Sequence, residues 1–335
     1  MAGTLFHCRL LPDGNPASDL RCMSYLYSSH WYSNNCSDAD SRSHPRGALQ
    51  FPSLTLPEPR LEETANHYSD SGNWMMPVDA GTASSLIGIP VRQSGLFFPL
   101  ARALDLGAVC NALIRHPLID YRSTVTARSI TTDPTRAHLT THTDTLECDQ
   151  IVLCTGTGTN DFDQARYLEL LPVWGQIDRI RPDNAPVTPI VGEGFMIPIG
   201  SDWGVGATYE HKRWTDGIAS EFNLQRFDRW WHALTGREVA RRVLPAIRGT
   251  RAVTSDRMPI VGGLFDQHGA RTPRLLVNTG HGSQGTVGAP FAAECIASEL
   301  IGEFAPGTRA EIDSLSSMRF RTRQARRGPR HGSRA

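Results

Sequence analysis

Lysine is almost missing from this chain. Lys212 is the only one, so arginine carries nearly all of the positive charge. Cysteine pairs at C-x-x-C spacing are also missing. The seven cysteines (8, 22, 36, 110, 148, 154 and 295) are scattered and odd in number, so neither a zinc site nor a disulfide framework follows. Cys110, Cys154 and Cys295 lie in apolar runs and are expected to be small buried hydrophobes. No apolar run approaches the ~20 residues of a membrane span, and the amino terminus lacks a signal-type apolar region. These absences predict a protein without membrane association, and a reducing cytoplasm is the default location. There are no internal repeats and no recognised RNA-binding motif.

What is present suits a globular enzyme. The 335 residues are 39% hydrophobic and 20% charged, with 34 basic against 34 acidic side chains. That length supports one large domain or two interleaved ones. Turn signals such as Gly14-Asn15-Pro16, Pro52, Pro57 and Pro59 predict an irregular first ~90 residues. Leu106, Val109, Cys110 and Leu113 recur at helical spacing behind Asp105 as N-cap. Ile119 to Ile130 and Arg136 to Thr143 read as a hairpin turning at Asp133-Pro134. Ile151-Val152-Leu153-Cys154 reads as a buried parallel strand. Gly194 to Pro198 and Gly204 to Tyr209 read as paired strands. Phe227, Trp230, Trp231 and Leu234 form one helix face with Gly236 after its end; an aromatic stripe of this kind is core. A strand at Leu275 to Asn278 leads through glycines into a helix from about Pro290 to Leu300. The end of the chain carries Arg319, Arg321, Arg323, Arg326, Arg327, Arg330 and Arg334 and is predicted to be a disordered basic tail over 319–335.

Two glycine turns stand out. Gly280-His281-Gly282-Ser283-Gln284-Gly285 matches G-x-G-x-x-G between a strand and a helix, the pattern of a dinucleotide fingerprint. The pattern also asks for a returning strand with an acidic residue ~20 positions on, and none follows. Such a loop still lets backbone N–H groups approach a ligand at a helix start; a tight packing turn explains the spacing equally well. Thr155-Gly156 closes the buried strand and is either a close approach to a ligand or a simple turn. Between them, Gly249 to Gly262 (GTRAVTSDRMPIVG) offers Arg251, whose guanidinium either clamps a carboxylate or pairs with Asp256 across a turn.

These pieces in this order resemble the D-amino-acid-oxidase superfamily of flavoproteins. More narrowly they resemble the oxidoreductase half of the bifunctional enzymes that build 5-methylaminomethyl-2-thiouridine in tRNA. The matching stretches are Leu10 to Tyr32, Gly95 to Pro117, Asp149 to Gly156, Leu171 to Gln176, Gly249 to Gly262 and Gly280 to Gly302. The resemblance implies an α/β, Rossmann-like FAD-binding fold with an interleaved antiparallel-sheet substrate domain. The flavin part would span about 119–164 and 244–304, and the substrate part about 20–118 and 165–243.

The implied activity is FAD-dependent oxidative removal of the carboxymethyl group from 5-carboxymethylaminomethyl-uridine at the tRNA wobble position. Arg251 would hold the substrate carboxylate, Val125 would lie near the adenine, and Thr155 and Gly156 near the ribose or diphosphate. Gly280, His281, Gly282, Ser283, Gln284 and Gly285 would lie at the isoalloxazine. No catalytic acid or base is assigned and no metal is implied. The partners implied are tRNA as substrate, no DNA, and a separate methyltransferase domain or protein. The sequence departs from the pattern in two respects, of which the absence of the methyltransferase half is one. Nothing in Met1 to Asp13 supplies the glycine-fingerprint βαβ unit that opens the family's oxidoreductase half, so the expectation is a truncated fold with weak or no FAD binding. The alternatives are an amine oxidase acting on a free amino acid, and an inactive remnant or RNA-binding module.

Overall fold

A computed structural model describes residues 3–10, 16–36, 47–68 and 72–327. The chain divides into two compact units, 1–120 with 174–249, and 121–173 with 250–335. The first begins with β1 (Thr4–Phe6), α1 (Pro16–Asn35), β2 (Ala48–Gln50), α2 (Glu58–His67) and β3 (Met76–Val78). It continues with α3 (Ala80–Ile87), β4 (Gly95–Phe98), β5 (Arg102–Leu104) and α4 (Leu106–Leu113). The second opens with β6 (Ala127–Thr132), β7 (Ala137–Thr141), β8 (Thr145–Cys148) and β9 (Ile151–Leu153). β10 (Leu170–Pro182) leads back to the first unit and to β11 (Ile190–Val191), β12 (Phe195–Ile199), β13 (Asp202–Gly206) and α5 (Asp216–Thr235). β14 (Arg241–Thr254) returns to the second, which ends in β15 (Ile260–Phe265), β16 (Arg271–Thr279), α6 (Gly285–Ile301), α7 (Arg309–Leu315) and α8 (Met318–Arg327).

The first unit is built on an eight-stranded sheet in the order β14-β10-β13-β12-β11-β2-β4-β3. α5 covers it with Phe227, Trp230, Trp231 and Leu234, which pack with Leu49, Ile180, Met196 and Val205. Thr215 caps its start and Gly236, at φ +71°, ends it in the left-handed conformation that a Cβ disfavours. Asp105 caps α4 by accepting from the N–H groups of Gly107 and Ala108.

The first ninety residues are not irregular: α1, α2 and α3 lie there. In α1 the buried positions Ser18, Leu20, Ser24, Tyr25, Ser28, Ser29 and Tyr32 follow helical spacing. Four of these seven are serine, so a reading based on hydrophobic periodicity finds little signal.

The second unit contains a three-stranded sheet ordered β15-β16-β9 and a three-stranded antiparallel sheet ordered β6-β7-β8. β9 and β16 run parallel, with Val152 opposite Leu276. The hairpin does turn at Asp133, whose carboxylate accepts from the N–H groups of Thr135 and Arg136. Its first strand begins only at Ala127, and β8 adds a third.

Two further expectations are corrected. Cys110 and Cys154 are exposed, while Cys295 is buried; an apolar neighbourhood in sequence did not decide which face a short element buries. The chain from Met318 to Arg327 is not a disordered tail but α8, anchored by the fully buried Phe320. Three of the basic side chains there meet partners distant in sequence. Arg319 and Arg323 bond Asp256, Arg323 also reaches Glu169, and the Arg321 guanidinium sits 3.7 Å from the Tyr167 ring centroid. Residues 328–335 lie outside the described residues.

Candidate functional site

Parallel strands place their carboxyl ends on one edge, where open α/β sheets hold ligands. Here both glycine turns lie at that edge. Thr155-Gly156 follows β9, and Gly280-His281-Gly282 follows β16. Threonine hydroxyls tie them together. Thr279 Oγ1 donates to the Gly156 carbonyl at 3.3 Å, and Thr155 and Thr159 meet at 3.0 Å.

Gly156, Gly280 and Gly282 all have positive φ, at +57°, +76° and +56°. They differ in what surrounds them. A Cβ on Gly280 would lie 2.7 Å from Thr254 Cγ2, so this glycine lets the loop pack. A Cβ on Gly156 would meet nothing within 4 Å, and one on Gly282 only Val253 Cγ2 at 3.6 Å. The latter two therefore leave room for something else.

The end of β14 reaches the same loop. Gly282 N–H donates to the Ala252 carbonyl at 2.9 Å, and Val253 and His281 form an antiparallel bridge. Arg251, partly buried, is the residue immediately before Ala252. Asp256, the other partner suggested for Arg251, is held by Arg319 and Arg323. Burial works to raise its pKa, but the hydrogen bonds and charge of Arg319, with Met258 N–H and Arg323, win and bring it to about 2. No local pattern marks this anchor, because its partners sit on α8.

His281 packs against the first turn of α6, where only a glycine fits. A Cβ on Gly288 would lie 2.9 Å from its Nδ1. Burial lowers the His281 pKa to about 4, so the ring is neutral at physiological pH. Its Nε2 lies 2.6 Å from Asn278 Oδ1, an acceptor, which assigns the proton to Nε2. Gln284 is the N-cap of α6, and its Oε1 is buried with no hydrogen-bond partner among the described residues. Ser283, at the tip of the loop, is exposed, and Gly285 opens the helix. Val125 stands just ahead of β6 and is 38% exposed. No group of His, Cys, Asp or Glu able to hold a metal occurs among the described residues.

Two glycine turns at the carboxyl ends of parallel strands, one running into a helix, define a mixed α/β cofactor-binding fold of the flavoprotein kind. The family described as FAD dependent oxidoreductase matches residues 26–299, and the chain belongs to that family of FAD-using enzymes. The curated relatives include the tRNA 5-methylaminomethyl-2-thiouridine biosynthesis bifunctional protein of Burkholderia cenocepacia (strain HI2424). It is 29% identical over 96% of this chain and 54% of its own length. The chain thus spans about half the length of the curated relatives it matches.

Among solved structures, glycine oxidase from Geobacillus kaustophilus superposes with a TM-score of 0.71 at 14% identity, over 93% of this chain and 86% of that one. L-proline dehydrogenase from P. horikoshii gives 0.72 at 12%, over 95% and 87%. At such identities the likeness concerns the fold. A Cβ at Gly156 would meet nothing within 4 Å and one at Gly282 only Val253 Cγ2, so both glycine turns leave room beside their backbone for a planar group such as a flavin ring.

Proposed function

We propose that the chain oxidises a secondary amine bearing a carboxymethyl group, of the kind found in 5-carboxymethylaminomethyl-uridine at the tRNA wobble position. FAD, when bound, supplies the two-electron acceptor for the hydride leaving the CH2 carbon. The amine nitrogen loses its proton, and water hydrolyses the resulting imine to glyoxylate and an aminomethyl group. The role given to Arg251 is to bind the carboxylate by two parallel hydrogen bonds. The role given to the loop from Gly280 to Gly285, with Thr155 and Gly156, is to receive the flavin. Positioning of this sort supplies much of a hydride-transfer barrier reduction and needs no general base.

The observation that carries the reading is the Gly282–Ala252 hydrogen bond, which ties the end of the Arg251 strand to the glycine loop. The name of the Burkholderia relative supports tRNA as substrate, with methylation of the product left to a separate domain or protein. The test supplies FAD and compares tRNA carrying the modified wobble base with free glycine and sarcosine, following glyoxylate. Glyoxylate from tRNA supports the proposal. Turnover confined to the free amino acids would replace it with an amino-acid oxidase.

A further inference from the structure

The loop from Ala207 to Thr215, between β13 and α5, is braced from inside and displays cations outside. Glu210 is buried, and its carboxylate accepts from the Thr208 hydroxyl, from the Trp214 N–H at 2.8 Å and from Arg248 at 2.7 Å. Its backbone exchanges two hydrogen bonds of 2.9 Å with Trp174 of β10. Arg248 also donates to Asp216, at 2.9 Å, so one guanidinium answers both acids that flank the turn. His211, Lys212 and Arg213, which lie between those acids, are exposed. Neither Lys212 nor Arg213 has an acidic partner among the described residues. The Arg213 guanidinium instead lies 5.1 Å from the Trp174 ring centroid. The Tyr209 ring, 40% exposed, meets His211 edge-on.

A turn held by a buried ion pair thus presents two cations unmatched by acids and an accessible aromatic ring. The brace is already in place, so a partner need not supply the ordering of the loop. An acidic peptide would use the charges alone. An unpaired RNA strand uses the rings as well, because its bases stack on aromatic side chains and on guanidinium planes. Resting on the reading of tRNA as substrate, we propose that this loop is a contact surface for unpaired RNA. Lys212 and Arg213 hold backbone phosphates, and Tyr209 stacks on a base. Arg248, which braces the turn, stands three residues ahead of Arg251 in β14. The brace of the RNA contact and the candidate carboxylate clamp therefore share one strand.

The test is binding of an unmodified tRNA transcript to the full chain over a range of salt, followed by fluorescence anisotropy. Lys212→Gln combined with Arg213→Gln is expected to weaken binding about tenfold near physiological salt and to lower the salt slope by about two phosphate contacts. Lys212→Gln alone, a change confined to an exposed side chain, should lower the slope by about one. Tyr209→Ala should weaken binding about tenfold with the slope unchanged. Arg309 of α7, 95% exposed, is the control, and Arg309→Gln should bind within about twofold of the wild type. Undiminished binding with an unchanged slope in the double variant, or an equal loss in Arg309→Gln, overturns this surface. The function reading then stands if the wild type still releases glyoxylate from modified tRNA. A wild type that neither binds tRNA nor releases glyoxylate from it overturns the function reading and the proposal with it.

Discussion

The Gly282 N–H donates to the Ala252 carbonyl at 2.9 Å, so the loop after the last strand is hydrogen-bonded to the residue that follows Arg251. Two segments distant in sequence, one with a candidate anion clamp and one with a glycine turn, meet through backbone. Their spacing is thereby insulated from side-chain mobility.

The two glycine turns should respond differently to a methyl group. Gly280→Ala meets both the left-handed backbone penalty, roughly 1–2 kcal/mol, and a 2.7 Å approach to Thr254. Gly156→Ala meets only the first. Chemical denaturation should show Gly280→Ala as the more destabilising by about 1 kcal/mol or more. Equal effects would mean that the Gly280 turn is not closely packed.

Acid should weaken the second unit in two windows. Asp256 has its folded pKa depressed to about 2 from an ordinary 3.8. The stability it contributes is present above the unfolded value and is lost as pH falls from about 4 toward 2. At the usual conversion this amounts to roughly 2 kcal/mol. His281, lowered to about 4 from 6.5, must stay neutral in the fold while the unfolded chain takes up a proton. Stability therefore begins to fall below pH 6.5 and keeps falling down to about 4. His281→Gln should flatten the slope between pH 6.5 and 4, and Asp256→Asn the slope between 4 and 2. Denaturation curves at stepped pH measure both.

Helix α8 should be structural. Phe320 is fully buried among Ile151, Leu168, Leu264 and Val277, so Phe320→Ala is expected to cost about 3–5 kcal/mol. Its effect should appear in thermal melts at moderate salt. A solvated tail would show no change on the same substitution.

Much of this was legible before the fold. The α5 stripe announces itself within a few residues because its burying face is chemically uniform, and Asp105 marks the cap of α4 by residue type alone. The apolar run of β9 marks the strand, but not that all of it is buried, since Val152 is 37% exposed. The loop from Gly280 to Gly285 shows itself only in its glycine spacing. α1 was not legible, since serines fill more than half of its buried face. Nor was α8, whose arginines are read as solvated until Asp256, Glu169 and Tyr167 are seen to receive them. Likewise, no spacing rule connects Gly282 to Ala252 or marks Gln284 as a buried acceptor. Those relations exist only once separate strands converge.

The most direct test of a shared Arg251–flavin site is a spectral titration. Chain supplied with FAD is mixed with a non-oxidisable carboxymethyl compound, and the visible flavin bands are followed. The account predicts a saturable band shift in the wild type, weakened about tenfold or more in Arg251→Met while FAD affinity is unchanged. A shift of equal strength in Arg251→Met, or no shift at saturating ligand in FAD-bound wild type, would contradict it.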